Sequence, residues 1–142
     1  MDRLLTKDPD ALDSENRGRK PVSNVLIIED NDDTAEMIMT SLLIEGYGVR
    51  IAKSRDEAVS QMRRNIYHVV LLDYIMDGMP AERFISIARI YSPLSKIILI
   101  TASARTETVA KNLGINRWIR KPIHIDALKD MIIDLNKQQS DN

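Results

Sequence analysis

The sequence contains no cysteine, which excludes disulfide bonds, thiol catalysis and metal sites built on cysteine. Aromatic residues are scarce, with one Phe and one Trp, so little is available for stacking on nucleic-acid bases. The net charge is -1 and positive and negative residues are interleaved, which gives no electrostatic attraction to a nucleic-acid backbone. We therefore expect that this chain does not bind nucleic acid.

Long apolar runs are also missing. Val69–Leu72 and Ile97–Ile100 are far shorter than the ~18 apolar residues of a membrane span. The charged N-terminal segment contains no apolar signal-peptide core, so we expect a cytoplasmic protein with no membrane partner. At 142 residues and 44% hydrophobic content, the chain has enough apolar material for one globular domain.

Polar segments flank the apolar part of the chain. Residues 1–23 mix Asp, Arg, Lys and Pro with few large apolar side chains, which predicts a disordered or loosely docked N-terminal tail. Leu4, Leu5 and Leu12 leave open that part of this tail is an amphipathic turn that packs on the domain or on a partner. Residues 137–142 are expected to form a C-terminal tail.

Between the tails, strand and helix signals alternate. Short apolar runs followed by amphipathic segments predict strands at 25–29, 49–52, 69–73, 96–101 and 116–120, each followed by a helix. The third strand is apolar on both faces, which is typical of a central parallel strand covered by helices on each side. Five such units within residues 24–136 predict a flavodoxin-like, doubly wound α/β fold with five helices and a five-stranded parallel sheet of order 2-1-3-4-5.

Two predicted helices carry clear signals at their ends. Asp32 or Asp33 offers an N-cap for the first helix, and Gly46 is a natural stop after it. Ser54 with Glu57 forms the pattern of a capping box at the start of the second helix.

Reactive side chains lie at the ends of four of the predicted strands or directly after them. They are Glu29-Asp30, Asp73, Thr101 and Lys121. Because the carboxyl ends of parallel strands meet at one edge of the sheet and neighbouring strands lie ~4.8 Å apart, we expect these side chains to share a pocket. Crowded carboxylates disfavour each other's ionised forms, and Mg²⁺ relieves that repulsion while accepting oxygen ligands. Glu29, Asp30 and Asp73 are therefore the predicted Mg²⁺ ligands.

The same side chains suit phosphoryl transfer. Asp73 can act as a nucleophile, since carboxylates are established acceptors of phosphoryl groups. Thr101 and Lys121 can bind the phosphoryl oxygens. Phosphoryl transfer needs mainly positioning and charge neutralisation, and this set of residues supplies both.

The order of these motifs resembles the receiver domain of two-component response regulators, over roughly residues 24–136. The motifs are Glu29-Asp30, Leu71–Met76, Thr101-Ala102 and Lys121-Pro122. The resemblance implies a phosphorylation-dependent signalling switch that accepts a phosphoryl group on an aspartate from a histidine kinase or a phosphotransfer protein. It implies no enzyme activity beyond assistance to the protein's own phosphorylation and dephosphorylation.

The resemblance also assigns the metal ligands. Asp30, Asp73 and the backbone carbonyl of Ile75 would hold Mg²⁺, and Glu29 would do so through a water molecule. Lys121 would form a salt bridge with the phosphoryl group, and its peptide bond to the following proline would be cis, which X-Pro bonds allow at small cost.

Two further residues would transmit the signal. The resemblance implies that Thr101 moves toward the phosphoryl group and that Trp118, three residues before the lysine, changes its exposure. The surface of the fourth helix, fifth strand and fifth helix would then bind a downstream protein. A second copy of the chain is another possible partner, and both a stand-alone receiver and the receiver part of a larger regulator remain open.

Two positions differ from the usual pattern of the family. Asp77 stands where members usually have Pro, and Ala81 stands where they often have Gly. These differences favour an alternative in which the chain is a pseudo-receiver that binds partners without phosphorylation. A Mg²⁺-dependent phosphatase or phosphotransfer enzyme is a third class, but position 75 is Ile and supplies no second acid in an Asp-x-Asp arrangement.

Overall fold

The computed structural model of the protein describes residues 23–140. The expected N-terminal tail, with Leu4, Leu5 and Leu12, lies outside the described residues except for its last residue, Ser23. Within residues 23–140, no helix is both long enough and apolar enough to cross a membrane.

Strands and helices alternate strictly along the described residues. The elements are β1 (Asn24–Ile28), α1 (Asp32–Ile44), β2 (Gly48–Ala52), α2 (Arg55–Arg64), β3 (Val69–Asp73), α3 (Ala81–Tyr91), β4 (Lys96–Thr101), α4 (Thr106–Asn112), β5 (Arg117–Arg120) and α5 (Ile125–Ser140). All neighbouring strands pair in parallel, in the order β2-β1-β3-β4-β5. This confirms the predicted flavodoxin-like α/β fold. Helix α5 extends to Ser140, so it includes residues that we assigned to a C-terminal tail.

The sheet is covered on both faces, as its apolar strands require. Every residue of β3 is buried. Side chains alternate between the faces, so that Val70 and Leu72 pack with α2, α3 and α4, while Val69 and Leu71 pack with α1 and α5. Helices cover both faces but not the edge where the strands end, which leaves the carboxyl edge of the sheet open for a site.

The start of α1 differs by one residue from the expected capping position. Asn31 is the N-cap, and its side-chain oxygen accepts a hydrogen bond from the backbone N–H of Thr34 at 2.9 Å. Asp32 and Asp33, which we expected to provide the cap, lie in the first turn of the helix. Their carboxylates there interact favourably with the positive end of the helix dipole instead of capping it. Gly46 follows the helix with a φ of 92°, as a stop signal should.

Helix α2 begins at the predicted capping box. The hydroxyl of Ser54 accepts a hydrogen bond from the N–H of Glu57 at 3.0 Å. The carboxylate of Glu57 accepts the N–H of Lys53, one residue earlier than the standard motif, at 3.1 Å. Arg55 is thereby fixed as the first residue of the helix, a position that matters for the site described next.

Candidate functional site

Three predicted carboxylates meet at the carboxyl edge of the sheet. Strands β1 and β3 are adjacent and pair through Ile28 and Leu72, so the residues that follow them emerge side by side. Glu29, Asp30 and Asp73 each offer one oxygen atom, and these atoms all lie within 4.8 Å of one another. Glu29 and Asp73 are buried, with 3% and 4% exposure, whereas Asp30 is exposed to solvent.

Lys121 reaches this cluster from the end of β5. Its ammonium lies 2.8 Å from Glu29 Oε1 and 3.2 Å from Asp73 Oδ2. Burial lowers the pKa of Lys121, but the hydrogen bonds and charges of Glu29 and Asp73 outweigh this and raise the pKa above its ordinary value. The lysine is therefore a stable cation that neutralises part of the negative charge.

The remaining oxygens of the two buried carboxylates are held by backbone groups. Asp73 Oδ1 accepts the N–H of Ile75 at 3.2 Å, and Glu29 Oε2 accepts the N–H of Asn31 at 3.3 Å. Each of these carboxylates thus has one oxygen bound to the backbone and the other bound to Lys121. This arrangement fixes the orientation of both side chains before any ligand arrives.

The residues at this edge fit a divalent cation. Their donors are carboxylate oxygens, which Mg²⁺ prefers, and the exposed Asp30 gives access from solvent. An open cleft of about 540 Å³ lies beside the cluster, and Asp30, Ile75 and Asp77 are among its lining residues. Three carboxylates face one lysine, so the local charge remains negative and attracts a cation.

Thr101 lies at the end of β4, one residue beyond the pair that β4 forms with Asp73. The side chain is fully buried, and its hydroxyl oxygen accepts the N–H of Ser103 at 3.1 Å. Within residues 23–140, no hydrogen bond joins this hydroxyl to Asp73 or Lys121. The structure therefore places Thr101 at the same edge of the sheet, with its hydroxyl bound to Ser103 rather than to the carboxylate cluster.

Trp118 is farther from the cluster, in the edge strand β5. It pairs with Leu99 and packs, half-buried, against the core formed with α2, α3 and α4. An open groove of about 730 Å³ runs beside it, with Met131 of α5 on its other side. The peptide bond from Lys121 to Pro122 is cis, as expected.

Arg55 belongs to the site, although no motif in the sequence indicates this role. Its side chain is 3% exposed. One terminal nitrogen donates to the carbonyls of Asp73 at 3.0 Å and Tyr74 at 2.7 Å, and the other donates to those of Met79 at 2.7 Å and Met76 at 3.3 Å. Burial lowers the pKa of Arg55, and the charge of Asp73 partly offsets that effect. An arginine at the first position of a helix is normally expected to be exposed at the surface. Only the tertiary structure therefore identifies this contact.

The loop between β3 and α3 carries both departures from the expected pattern. Asp77 is exposed at its tip, and Ala81 is buried as the first residue of α3. Gly78 has a φ of 96°, a conformation that glycine adopts readily and other residues rarely adopt. The path of this loop thus depends on Gly78 and on the carbonyl contacts of Arg55.

Comparison with known proteins identifies the family that this fold and site most resemble. A family model described as the response regulator receiver domain matches residues 25–133. An uncharacterized transcriptional regulatory protein of Bacillus subtilis is 28% identical over 107 residues, which cover 74% of this chain and 47% of that protein. The cell cycle transcriptional regulator CtrA of Caulobacter vibrioides is 30% identical over 109 residues, which cover 73% of this chain and 46% of the regulator.

A solved structure shows the same fold. It is a response regulator receiver domain protein from Methanospirillum hungatei, with a TM-score of 0.74 and 24% identity, and the match covers 84% of this chain and 98% of that one. The curated relatives are longer, since the chain spans less than half of the length of the two named above.

Proposed function

Since this chain belongs to the response regulator receiver domain family, we propose that it is a signalling switch in which Asp73 accepts a phosphoryl group. The observation that carries this proposal is the arrangement around one buried carboxylate. Asp73 lies within hydrogen-bond distance of Lys121 and has Glu29 and Asp30 beside it. A nucleophile, a cation for the phosphoryl oxygens and oxygen ligands for a metal are thus assembled at one edge of the sheet.

The proposed donor is a phosphohistidine on a histidine kinase or a phosphotransfer protein. A carboxylate oxygen of Asp73 attacks the phosphorus, so that a new O–P bond forms while the N–P bond of the donor breaks. The electron pair of the N–P bond returns to the imidazole nitrogen. Lys121 carries a positive charge at the place where negative charge collects on the phosphoryl oxygens, which lowers the energy of the transfer.

Mg²⁺ is the proposed cofactor. Asp30, Asp73 and the backbone carbonyl of Ile75 would hold the ion, and Glu29 would contribute through water. When bound, the ion neutralises carboxylate and phosphoryl charges that would otherwise repel each other. The ammonium of Lys121 now occupies one oxygen of Glu29 and one of Asp73. We expect Lys121 to leave these oxygens and bind the phosphoryl oxygens once Asp73 is phosphorylated.

The proposed output is a change on the surface of α4, β5 and α5. Thr101 would exchange its bond to the N–H of Ser103 for one to the phosphoryl group, and Trp118 would repack in response. The groove beside Trp118 would then bind a downstream protein or a second copy of the chain. Because the two relatives named above are transcriptional regulators more than twice as long as the matched region, a larger regulator is also consistent with this proposal.

Phosphorylation with a small acyl phosphate tests this function. We expect the wild-type protein to gain one phosphoryl group in the presence of MgCl₂, measured by intact mass, and Asp73→Asn to gain none. Asp134→Asn is the matched control, since it removes an exposed carboxylate of α5 that does not line the cleft beside Asp30 and should leave the gain intact. Trp118 is the only tryptophan, so its fluorescence reports the coupled change.

Each other outcome is informative. If the wild-type protein gains no mass at any Mg²⁺ concentration, the proposed switch is wrong and the pseudo-receiver alternative is supported. A gain that persists in Asp73→Asn would place the acceptor elsewhere. Continuous turnover of the donor without accumulation of the phosphorylated protein would indicate an enzyme.

A further inference from the structure

Arg55 occupies a position that is unfavourable for a helix. It is the first residue of α2, where a positive charge opposes the helix dipole, and its side chain is buried, which costs solvation energy for a cation. The start of the helix is already capped by Ser54, so the arginine is not needed there. Its compensating contacts are instead four backbone carbonyls on the loop after β3.

Those four carbonyls define the path of the loop. They belong to Asp73, Tyr74, Met76 and Met79, at distances of 2.7 to 3.3 Å. Only the Nε–H of the guanidinium has no partner among the residues that the structure describes. Two terminal nitrogens that each bind two carbonyls form a planar fork, a geometry that the single ammonium of a lysine cannot reproduce.

One carbonyl in this run is not bound by Arg55. In the segment 73–76, the Arg55 side chain binds the carbonyls of Asp73, Tyr74 and Met76 but not that of Ile75. The N–H of Ile75 donates to Asp73 Oδ1. The Ile75 carbonyl is the one that the proposed function assigns to Mg²⁺. The arginine thus holds the residues on both sides of this carbonyl and leaves the carbonyl itself available.

We propose that Arg55 is a positioning residue that pre-forms the Mg²⁺ site by fixing the β3–α3 loop from the side opposite to the metal. This inference deepens the proposed function and rests on it for the identity of the ligand. Arg55 does not contact the metal or the phosphoryl group, but it sets the geometry of the backbone that does. The same contacts explain how the loop stays ordered with Asp77 and Ala81 in place of the usual proline and glycine.

A purely electrostatic role of Arg55 predicts the opposite change in Mg²⁺ affinity when the arginine is removed. Arg55 is a buried cation that interacts electrostatically with Asp73, so its removal would strengthen Mg²⁺ binding if charge alone mattered. If positioning dominates, its removal weakens Mg²⁺ binding despite the loss of a repelling charge. The direction of the change therefore separates the two roles.

The test compares Arg55→Met and Arg55→Lys with the wild-type protein. The first measurement is backbone hydrogen exchange of Tyr74 and Ile75, whose N–H groups are hydrogen-bonded, in the absence of metal, and the second is MgCl₂ affinity by calorimetry. We expect exchange in this loop to rise at least about 10-fold and Mg²⁺ affinity to fall about 10-fold in Arg55→Met, as for other outer contacts of metal ligands. Arg55→Lys keeps the charge but not the fork, so we expect it to show both effects.

Leu135→Ala is the matched control for general destabilisation. Leu135 is a buried residue of α5, and it lines a cavity with Lys96 and Arg117 at the amino ends of β4 and β5, far from the loop. We expect this variant to lose stability while loop exchange and Mg²⁺ affinity stay within about twofold of the wild type. If Arg55→Met does not fold, Arg55→Lys decides the question against the same control.

The proposal is overturned if both arginine variants bind Mg²⁺ as tightly as the wild type or more tightly, or if loop exchange is unchanged. It is also overturned if Leu135→Ala reproduces both effects. Failure of the wild-type protein to accept a phosphoryl group would refute the proposed function alone, because loop exchange is measured without metal or phosphate.

Discussion

Lys121 holds two buried carboxylates at once, through bonds of 2.8 Å to Glu29 and 3.2 Å to Asp73. Without it, two carboxylates with 3% and 4% exposure would face each other with one fewer cation nearby. A divalent ion held by this cluster, as proposed above, would supply the same charge compensation. The lysine and the proposed metal would then be partly interchangeable for stability, although only the lysine is fixed to the chain.

Charge compensation by either the lysine or a metal ion leads to a prediction for Lys121→Met. Without divalent cations, we expect the free energy of unfolding to fall by about 2 kcal/mol, less than the ~3–5 kcal/mol of a fully buried pair because the lysine is partly exposed. Addition of MgCl₂ should restore more stability in the variant than it adds to the wild type, since the metal no longer competes with the ammonium. Denaturant unfolding with and without MgCl₂ measures both effects.

Lys53→Met is the matched control for that experiment. Lys53 also pairs with a carboxylate, Asp32 at 2.6 Å, but both side chains are more than half exposed. We expect its removal to cost much less stability than the removal of Lys121, with or without the metal. Equal losses in the two lysine variants, or no additional gain from MgCl₂ in Lys121→Met, would show that burial at the site does not control this interaction.

At the level of secondary structure, α2 links the sheet to the site. Its N-cap Ser54 fixes the first turn, and the next residue, Arg55, reaches the loop after β3. The acidic residues Asp56 and Glu57 lie in the first turn and favour the helix start. The stability of this helix end therefore contributes to the placement of the loop.

The contribution of the cap can be measured with Ser54→Ala. We expect a loss of about 1 kcal/mol in the free energy of unfolding, because the N–H of Glu57 loses its acceptor. Ser60→Ala is the control, since Ser60 is exposed within the same helix and alanine is the better helix former. Chemical denaturation should show no loss for Ser60→Ala. A loss as large as that for Ser54→Ala would mean that the effect does not come from the cap.

The elements were largely predictable because burial and periodicity act locally. The third strand was found residue by residue, since it is apolar on both faces and ends at Asp73. The N-cap of α1 was misplaced because Asn31 and Asp32 are both good capping residues, and the choice between them depends on backbone geometry. Arg55 could not be found, because its partners lie 18 to 24 positions away in the chain and are backbone atoms, which leave no mark in the sequence.

The convergence of site residues was predictable from topology alone. Once the order β2-β1-β3-β4-β5 is accepted, Glu29, Asp73 and Lys121 must emerge at one edge of the sheet. The hydrogen-bond partner of the Thr101 hydroxyl was not predictable from topology. Its hydroxyl bonds to the N–H of Ser103, a local contact that depends on the first residues of the loop after β4.

For the whole molecule, several groups bind protons more tightly in the folded state than in the unfolded chain. Burial raises the pKa of Tyr67, although nearby arginines and Asn65 lower it in part. Burial and the charge of Glu45 raise the pKa of Tyr47, and Asn136 offsets some of this. The pKa of Lys121 is raised as well. All three shifts have the same sign, so their effects on stability add.

These shifts predict a loss of stability at alkaline pH. A group with a raised pKa in the folded state contributes its full stabilisation below the unfolded value, which is about 10 for tyrosine, and loses it as the pH rises through the folded value. The denaturant midpoint should therefore be flat near pH 8 to 9 and fall progressively above about pH 10. Tyr67→Phe combined with Tyr47→Phe removes both phenols, so we expect the fall in this double variant to be shallower, with Lys121 and the exposed Lys53 as the remaining groups of raised pKa. An equally steep fall in the double variant would assign the alkaline loss to groups other than these tyrosines.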